Sequence, residues 1–533
     1  MNPHQETIDL VHFIKLAIAL AGCGLLIWSV IVRWLGRPRM HRRLRDALLG
    51  TLAALSALCW SNFFQFHYSQ YFHPSDLYHY YMGAKYFPEL DYTKLYECTA
   101  AADIAAGFEE QVVSRELRDL RSNTITTTQA VVADPTRCTR HFSPDRWAEF
   151  ERDVGWFRGR LSEQNWNKLY VDHGYNASPA WGILGITIAN LAPSTGSWII
   201  VLTLLDWLLL LTMWGFVWRA FGWRVMCVAL IFWGVNHLSH YGWNGGSYLR
   251  QDWLALLIIG ICCIRMERPL AGGFALACAT FSRIYPGFIF IALGLKAAWE
   301  IKRRRRLWIS AAHRRIALGG LLAVVTILPL SALSAGGWSA WFGFTQNIRL
   351  HLDSPSVNRT GLQAVIAYDR DTRVERLIKR STLDISSRWT RHRIFTFEQR
   401  RWLFWSLVIG FTALLAYAVR EREDWVAAVL GIGLIPVVGE PGGYYLSALL
   451  GFGFLTQRSE GYGAVLCGFA ALTLSVTKIW DWPDDIFLAL SIQVLAFVVV
   501  VTAYLAIERR IRVGRRARSV QTSETGRPTL GSM

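Results

Sequence analysis

The sequence lacks the short motifs that identify several common enzyme classes. It contains no P-loop, no Gly-x-Ser-x-Gly, no His-Glu-x-x-His and no paired Cys-x-x-Cys. These absences count against an ATPase, a serine hydrolase and a zinc enzyme. The sequence also has no internal repeat, which counts against a transporter built from inverted repeats.

Charged residues are scarce as well. They make up 18% of the 533 residues, whereas apolar residues make up 53%, and 25 residues are Trp. Many windows of about 18–22 residues are nearly free of charge, which predicts an all-α polytopic membrane protein. The first apolar run, 10–32, lacks a basic leading region and a small-x-small cleavage site, so we interpret it as a retained helix.

The chain has a formal net charge of +17, and its positive residues are concentrated next to the predicted membrane spans. Arginine clusters lie directly beyond apolar runs, which is typical of cytoplasmic loops. No nucleic-acid-binding motif accompanies them, so we predict no nucleic-acid partner. The clusters comprise Arg33, Arg37, Arg39, Arg42, Arg43 and Arg45, then residues 302–306 with Arg314 and Arg315, and residues 509–518.

With these clusters placed on the cytoplasmic side, the chain is predicted to cross the membrane about thirteen times. Pro179 and Pro193 interrupt the apolar segment 177–196, which we interpret as interfacial or re-entrant. The predicted units are an extra helix and basic loop (1–45), a transmembrane module (46–334) with an external domain (67–196), a second external loop (335–402), C-terminal helices (403–507) and a disordered tail (508–533). The predicted spans are 10–32, 47–66, 198–218, 224–240, 250–265, 270–282, 284–299, 315–334, 403–419, 425–438, 442–457, 461–479 and 485–506.

The cysteines agree with this topology. Seven of the nine lie in apolar runs, and only Cys98 and Cys138 lie in the first external domain. Two lone cysteines in an oxidising compartment suggest a disulfide. It would contribute roughly 3–4 kcal/mol in the chain-entropy model. Two free thiols are the alternative.

One carboxylate stands out just after the second apolar run. Asp76 lies in HPSDLYHYYMGAKYFPELDY, among five tyrosines and two histidines. Ser75 is predicted as the helix N-cap, with Asp76 in the first turn, where a carboxylate stabilises a helix by about 0.3–1 kcal/mol. The tyrosines also suit a membrane-interface belt. Neither explanation accounts for Gly83, which costs about 1 kcal/mol within a helix and, with Ala84, suggests that something approaches the helix backbone closely.

Further acids, cations and aromatic residues are predicted at the same external face. Ionisable residues at membrane depth are functional candidates. The structural alternative is that Arg250 pairs with Asp252, and Arg283 with Glu440, only for packing. The group comprises Trp243, Asn244, Arg250, Asp252, Arg283, Asn347, His351, Arg359, Glu440 and Tyr444.

The order of these motifs resembles the GT-C superfamily of integral-membrane glycosyltransferases, and above all its bacterial polyprenyl-phosphate-mannose-dependent branch. The resemblance rests on an external Asp-Leu-Tyr-x-Tyr-x-x-Gly-Ala, on GFALACATFSRIYPG, and on spaced Trp, Phe, Asn and His residues from Trp341 to Leu362. It covers roughly residues 46–455. The chain departs from the pattern in its extra leading helix, its long external domain, and Arg283 where the family usually has Lys.

The resemblance implies transfer of a sugar from a polyprenyl-phosphate donor to a lipid or glycan acceptor, at the outer face of the bacterial cytoplasmic membrane. Asp76 would be the catalytic base, with Asp91 as the second choice. Other partners are membrane lipids; no cofactor or metal is required, and a divalent cation is left open. The expected phosphate-binding residues are Arg250, Arg283, His351 and Arg359, and the expected sugar-binding residues are Tyr80, Trp243, Asn244, Asn347, Glu440 and Tyr444.

Two other classes remain as alternatives. A lipid or sugar transporter would place polar groups at the bilayer midplane, whereas here they collect at one edge. A membrane scaffold or a transferase of other groups is the second class. An acyltransferase would need a buried His–Asp pair, for which only His237 and His240 near Asp252 are candidates, and a phosphoethanolamine transferase would need a metal cluster.

Overall fold

The computed structural model describes residues 3–37, 40–68, 70–305, 309–374 and 385–524. These residues are mostly helical, with one short hairpin whose strands β1 (Glu116–Asp119) and β2 (Thr124–Thr127) pair antiparallel. The α-helices are α1 Pro3–Trp34, α2 Arg42–Trp60, α3 Pro74–Lys85, α4 Phe87–Leu90, α5 Leu95–Ala105, α6 Glu109–Val113, α7 Gln129–Ala133, α8 Thr136–Thr139, α9 Pro144–Arg158, α10 Glu163–Leu169, α11 Pro179–Ala189, α12 Gly196–Phe221, α13 Trp223–Val235, α14 Asp252–Arg265, α15 Pro269–Ser282, α16 Phe288–Arg304, α17 Ala311–Ser334, α18 Ser339–Leu352, α19 Leu362–Ile366, α20 Ile385–Gln399, α21 Arg401–Val419, α22 Asp424–Gly431, α23 Leu434–Val438, α24 Glu460–Ile479 and α25 Pro483–Glu524. The 3₁₀ helices are His237–Ser239, Tyr285–Gly287, Arg370–Thr372 and Gly443–Gln457.

In the described part of the chain, 6 helices are long and apolar enough to cross a membrane. They are α1, α12, α17, α21, α24 and α25, and each coincides with a predicted span. This confirms the coarse prediction of an all-α, multi-pass membrane protein. Helix α25 continues to Glu524, beyond the predicted end of the last span at residue 506. Parts of the second external loop and of the tail lie outside the described residues.

Of the other seven predicted spans, 47–66 extends beyond helix α2, which ends at Trp60, and the remaining six fall on shorter or interrupted elements. The segment 224–240 is helical only to Val235, and residues 425–438 form two short helices. Residues 442–457 fall on a 3₁₀ helix, a form with poorer hydrogen-bond geometry than the α-helix. Most of these elements are buried by the surrounding helices, so the count of thirteen spans stays a prediction.

Helices α15 and α17 pack at very short distance because both carry glycine at the contact. A Cβ atom on Gly273 would lie 2.0 Å from the carbonyl oxygen of Ile316, and one on Gly319 would lie 2.0 Å from that of Leu270. Small residues that let backbones approach are typical of helix pairs in membranes. Helix α15 is thereby held beside α17, and Ser282 and Arg283 lie at the C-terminal end of α15.

Residues 67–196, the predicted first external domain, contribute most of a second hydrophobic core, which also includes Ile199 and Leu202 of α12. Serine N-caps begin several of the helices in this segment. Ser143, Ser162 and Ser178 each accept a hydrogen bond from a backbone N–H three residues later, as expected for this residue type. The predicted disulfide Cys98–Cys138 joins α5 to α8.

Candidate active site

Helix α3 presents Asp76 in its first turn, as predicted, but the predicted N-cap was wrong. The cap is His73, whose ring Nδ1 accepts the backbone N–H of Asp76 at 3.2 Å, and Pro74 starts the helix. Since Nδ1 is the acceptor, the neutral ring carries its proton on Nε2. An imidazole acceptor is outside the usual set of N-cap residues, which explains why Ser75 was preferred from the sequence.

The carboxylate of Asp76 pairs with Arg250. The Oδ2 atom of Asp76 lies 2.9 Å from Nε of Arg250, whose side chain is 5% exposed. The suggested Arg250–Asp252 pair is therefore wrong, because Asp252 accepts a hydrogen bond from the Ser282 hydroxyl instead. The Arg250 guanidinium also lies 4.0 Å from the ring centre of Tyr80, at a distance suited to a cation–π contact.

The backbone around Arg250 is held by a residue that the sequence analysis did not single out. The carboxylate of Asp206, on α12, accepts the backbone N–H groups of Arg250 and Gln251 at 3.1 and 3.0 Å. The Gln251 side chain donates to Asn244 at 3.2 Å. A lone acid in an otherwise uncharged span was the signal that could have revealed Asp206.

Arg283 also lies close to Tyr80. Its guanidinium is 5.4 Å from the Tyr80 ring centre, and its Nη1 donates to the backbone oxygen of Ser282 at 3.1 Å. Its Nε and Nη2 atoms, like Nη1 of Arg250, are buried without a hydrogen-bond partner among the described residues. Buried donors of this kind are rare unless a ligand or water completes them.

Tyr80 and Gly83 explain how this face of α3 fits its surroundings. The Tyr80 hydroxyl donates to the Asn176 side chain at 2.6 Å. A Cβ atom on Gly83 would lie 2.5 Å from the side chain of Tyr175, which confirms the predicted close approach. The segment 175–176 is thereby placed directly against the helix that carries Asp76.

A second group of predicted residues surrounds Glu440. Its side chain is buried, neither oxygen has a hydrogen-bond partner in the described chain, and Arg359 is 3.8 Å away. The suggested Arg283–Glu440 pair is therefore wrong, since Arg359 is the partner. Burial raises the pKa of Glu440, while Arg359 and Arg393 act in the opposite direction. Arg359 is itself held by donating to the backbone oxygens of His351 and Ser354.

The remaining predicted ligands lie around these two groups. The Trp243 Nε1 atom is buried and has no partner among the described residues, and Tyr444 lies 5.2 Å from the Arg250 guanidinium. Asn347 donates to the backbone oxygen of Tyr175 at 3.3 Å. Burial lowers the pKa of His351 to about 3, so at neutral pH its ring supplies hydrogen-bonding atoms but no positive charge.

Asp91, the second choice of base, has different surroundings. It is exposed, and its Oδ1 accepts the backbone N–H of Tyr92 at 2.7 Å. No ion pair involves it among the described residues. The histidines suggested for an acyltransferase also lack the required partner. The rings of His237 and His240 are 5.3 Å apart, and in the described residues no hydrogen bond or ion pair joins either to Asp252.

One group of side chains has the composition of a metal site, away from Asp76. Single ligand atoms of Glu300, His313 and Asp424 lie within 4.8 Å of one another. Carboxylate and imidazole ligands suit a divalent transition metal. The ammonium group of Lys296, however, contacts Asp424 directly and lies 3.3 Å from Glu300. This group already compensates the carboxylates and would repel a cation.

No family model, no curated protein and no solved structure matches the chain. A functional assignment therefore depends on the sequence motifs and on the chemistry of the site.

Proposed function

We propose that the chain is a membrane glycosyltransferase, as its motifs suggest by resemblance to the GT-C superfamily. It would transfer a sugar from a polyprenyl-phosphate donor to a lipid or glycan acceptor at the external face of the bacterial cytoplasmic membrane. The observation that carries the proposal is the pairing of Asp76 with Arg250 beside buried, unpartnered donors of Arg283. Together they offer a proton acceptor and an anion site in one place.

The proposed step uses these groups as follows. The acceptor hydroxyl oxygen attacks the anomeric carbon and forms the new glycosidic bond, while its proton passes to Asp76. The bond between that carbon and the phosphate oxygen breaks, and its electron pair leaves with the lipid phosphate. Arg250 orients the Asp76 carboxylate. Arg283 donates hydrogen bonds to the phosphate as its charge develops, which is the interaction that arginine makes best.

The sugar would be recognised beside these groups. Trp243 offers an unpartnered indole N–H, and Glu440 offers two buried oxygens that lack donors among the described residues. The indole N–H can donate a hydrogen bond to a sugar hydroxyl, and the carboxyl oxygens can accept hydrogen bonds from sugar hydroxyls. The aromatic rings of Tyr80 and Tyr444 offer apolar surfaces on which the faces of a sugar ring can pack. These roles require no metal.

The test is transfer of radiolabelled sugar from polyprenyl-phosphate donors in proteoliposomes. We compare wild type, Asp76→Asn and Asp91→Asn at matched amounts of folded protein. We expect Asp76→Asn to lose about 10²–10⁴-fold in rate, because a positioned base contributes that much, and Asp91→Asn to keep most activity.

Equal rates in wild type and Asp76→Asn would contradict the assignment of the base and move it to Asp91 or elsewhere. Absence of transfer from every donor would contradict a glycosyltransferase and favour a transporter or another transferase.

A further inference from the structure

A groove lies between α1 and α2 at the end where both helices carry their arginines. A cavity of about 160 Å³ there is bounded by Leu25, Trp28 and Val32 on one side and by Arg42 and Arg45 on the other. A smaller cavity of about 30 Å³ continues it towards α13 and α24 and shares Leu25, Ser29 and Arg45. One groove therefore has an apolar wall and a cationic end.

The cationic end contains more positive than negative charge. Glu460 pairs with Arg33 at 2.7 Å and with Arg45 at 3.0 Å. Asp46 pairs with Arg224 at 2.7 Å and lies 3.9 Å from Arg42. Four guanidinium groups thus share two carboxylates, and the excess positive charge lies at the mouth of the groove.

The apolar wall is part of the surface that α1 turns towards the bilayer. Trp28 is 55% exposed, and its exposed neighbours on α1 include Ile27 and Ile31. In a membrane-spanning helix this surface meets acyl chains and no water. A ligand in the groove must therefore combine an apolar chain with a negatively charged end.

We propose that this groove binds an anionic phospholipid, with its phosphate between Arg42 and Arg45 and an acyl chain along Leu25 and Trp28. Basic pockets between transmembrane helices on the cytoplasmic side are suited to such headgroups. The site uses none of the residues of the proposed glycosyl transfer. It ties α1, the helix that precedes the GT-C-like module, to α2.

The experiment is native mass spectrometry of the full chain in detergent, with equal amounts of phosphatidylglycerol and phosphatidylcholine of matched acyl chains. We expect wild type to retain phosphatidylglycerol preferentially. Arg42→Gln should lower that preference about fivefold, the effect of one arginine near an anionic headgroup. Arg42 has a 78% exposed side chain, so its substitution leaves the packing intact.

Two further variants locate the site. Ser29→Trp fills the groove and should lower phosphatidylglycerol occupancy. Arg303→Gln removes a 56% exposed arginine of another basic cluster and should leave occupancy unchanged. Equal retention of the two lipids by wild type, an unchanged preference in Arg42→Gln, or unchanged occupancy in Ser29→Trp would each overturn the proposal. None of these outcomes depends on glycosyl transfer.

Discussion

Two buried charged centres of the molecule differ in how completely their polar atoms are paired. Within residues 67–196, Asp103 is fully buried and accepts hydrogen bonds from Arg115, Arg158, Trp166 and Tyr170, at 2.6 to 3.1 Å. At the candidate site, buried atoms of Arg250, Arg283 and Glu440 have no partner in the described chain. Each unpaired buried polar atom costs about 1–3 kcal/mol.

The difference distinguishes stability from binding. The centre at Asp103 has used its hydrogen-bonding capacity within the protein, so it can position helices but has nothing to offer a ligand. The candidate site has buried hydrogen-bond donors and acceptors without partners in the described chain, as expected where a substrate supplies the missing partners. The packing of the surrounding helices offsets the free-energy cost of these unpaired atoms.

The largest expected effect on stability is at Asp103. Asp103→Asn should lower the free energy of unfolding by about 3–5 kcal/mol, because it leaves buried guanidinium groups without their carboxylate. The measurement is thermal unfolding of purified protein, with Asp145→Asn as control. Asp145 is exposed and lies in the first turn of α9, so its change should stay within about 1 kcal/mol. Equal melting temperatures of the two variants would contradict the stabilising role of the Asp103 centre.

At the candidate site we expect a substitution to lower activity strongly and stability only slightly. Arg283→Gln should lower the transfer rate about 10²–10³-fold, as loss of one positioned donor does, with little change in unfolding. Arg268→Gln, at an exposed position, is the matched control and should retain full activity. A large loss of stability in Arg283→Gln, with activity per folded molecule intact, would make Arg283 a structural residue.

The next effect concerns the close contact that supports Asp76. Gly83→Ala places a methyl group 2.5 Å from Tyr175, and such overpacking costs about 1–3 kcal/mol. Gly50→Ala is the control, since a Cβ atom on this helical glycine meets nothing within 4 Å and should stabilise α2 by up to about 1 kcal/mol. Thermal unfolding of both variants shows whether each substitution raises or lowers the free energy of unfolding. A stabilised Gly83→Ala protein would contradict the contact.

The last expected effect is on the pH dependence of stability. Burial lowers the pKa of His173 to about 4 and that of His351 to about 3, whereas an unfolded histidine titrates near 6.5. Between these values the unfolded state binds more protons, so stability falls as pH decreases below about 6.5. The loss approaches about 1.4 kcal/mol per pH unit for each group.

Thermal unfolding at pH 7.5, 6.0 and 5.0 measures this dependence. His351→Asn should reduce the proton uptake on unfolding by about one and so flatten the curve. An unchanged slope in the variant would mean that His351 titrates normally in the folded protein.

Local sequence patterns predicted much of the architecture and several features of the candidate site. The six long apolar helices, the disulfide Cys98–Cys138, the position of Asp76 in a first turn and the close contact at Gly83 all follow from local rules. The count of thirteen spans stays a prediction for the short buried helices, because apolar composition is the same whether a helix faces lipid or protein.

The sequence by itself determined the class of protein, since a bilayer-spanning helix is specified by a continuous run of about twenty apolar residues. It also placed the polar residue types that a site needs. Only the tertiary structure decided which of them meet: Arg250 with Asp76, Arg359 with Glu440, and Asp206 beneath the backbone of Arg250. Charge pairing depends on atoms a few ångströms apart from elements distant in sequence, and no local pattern specifies that geometry.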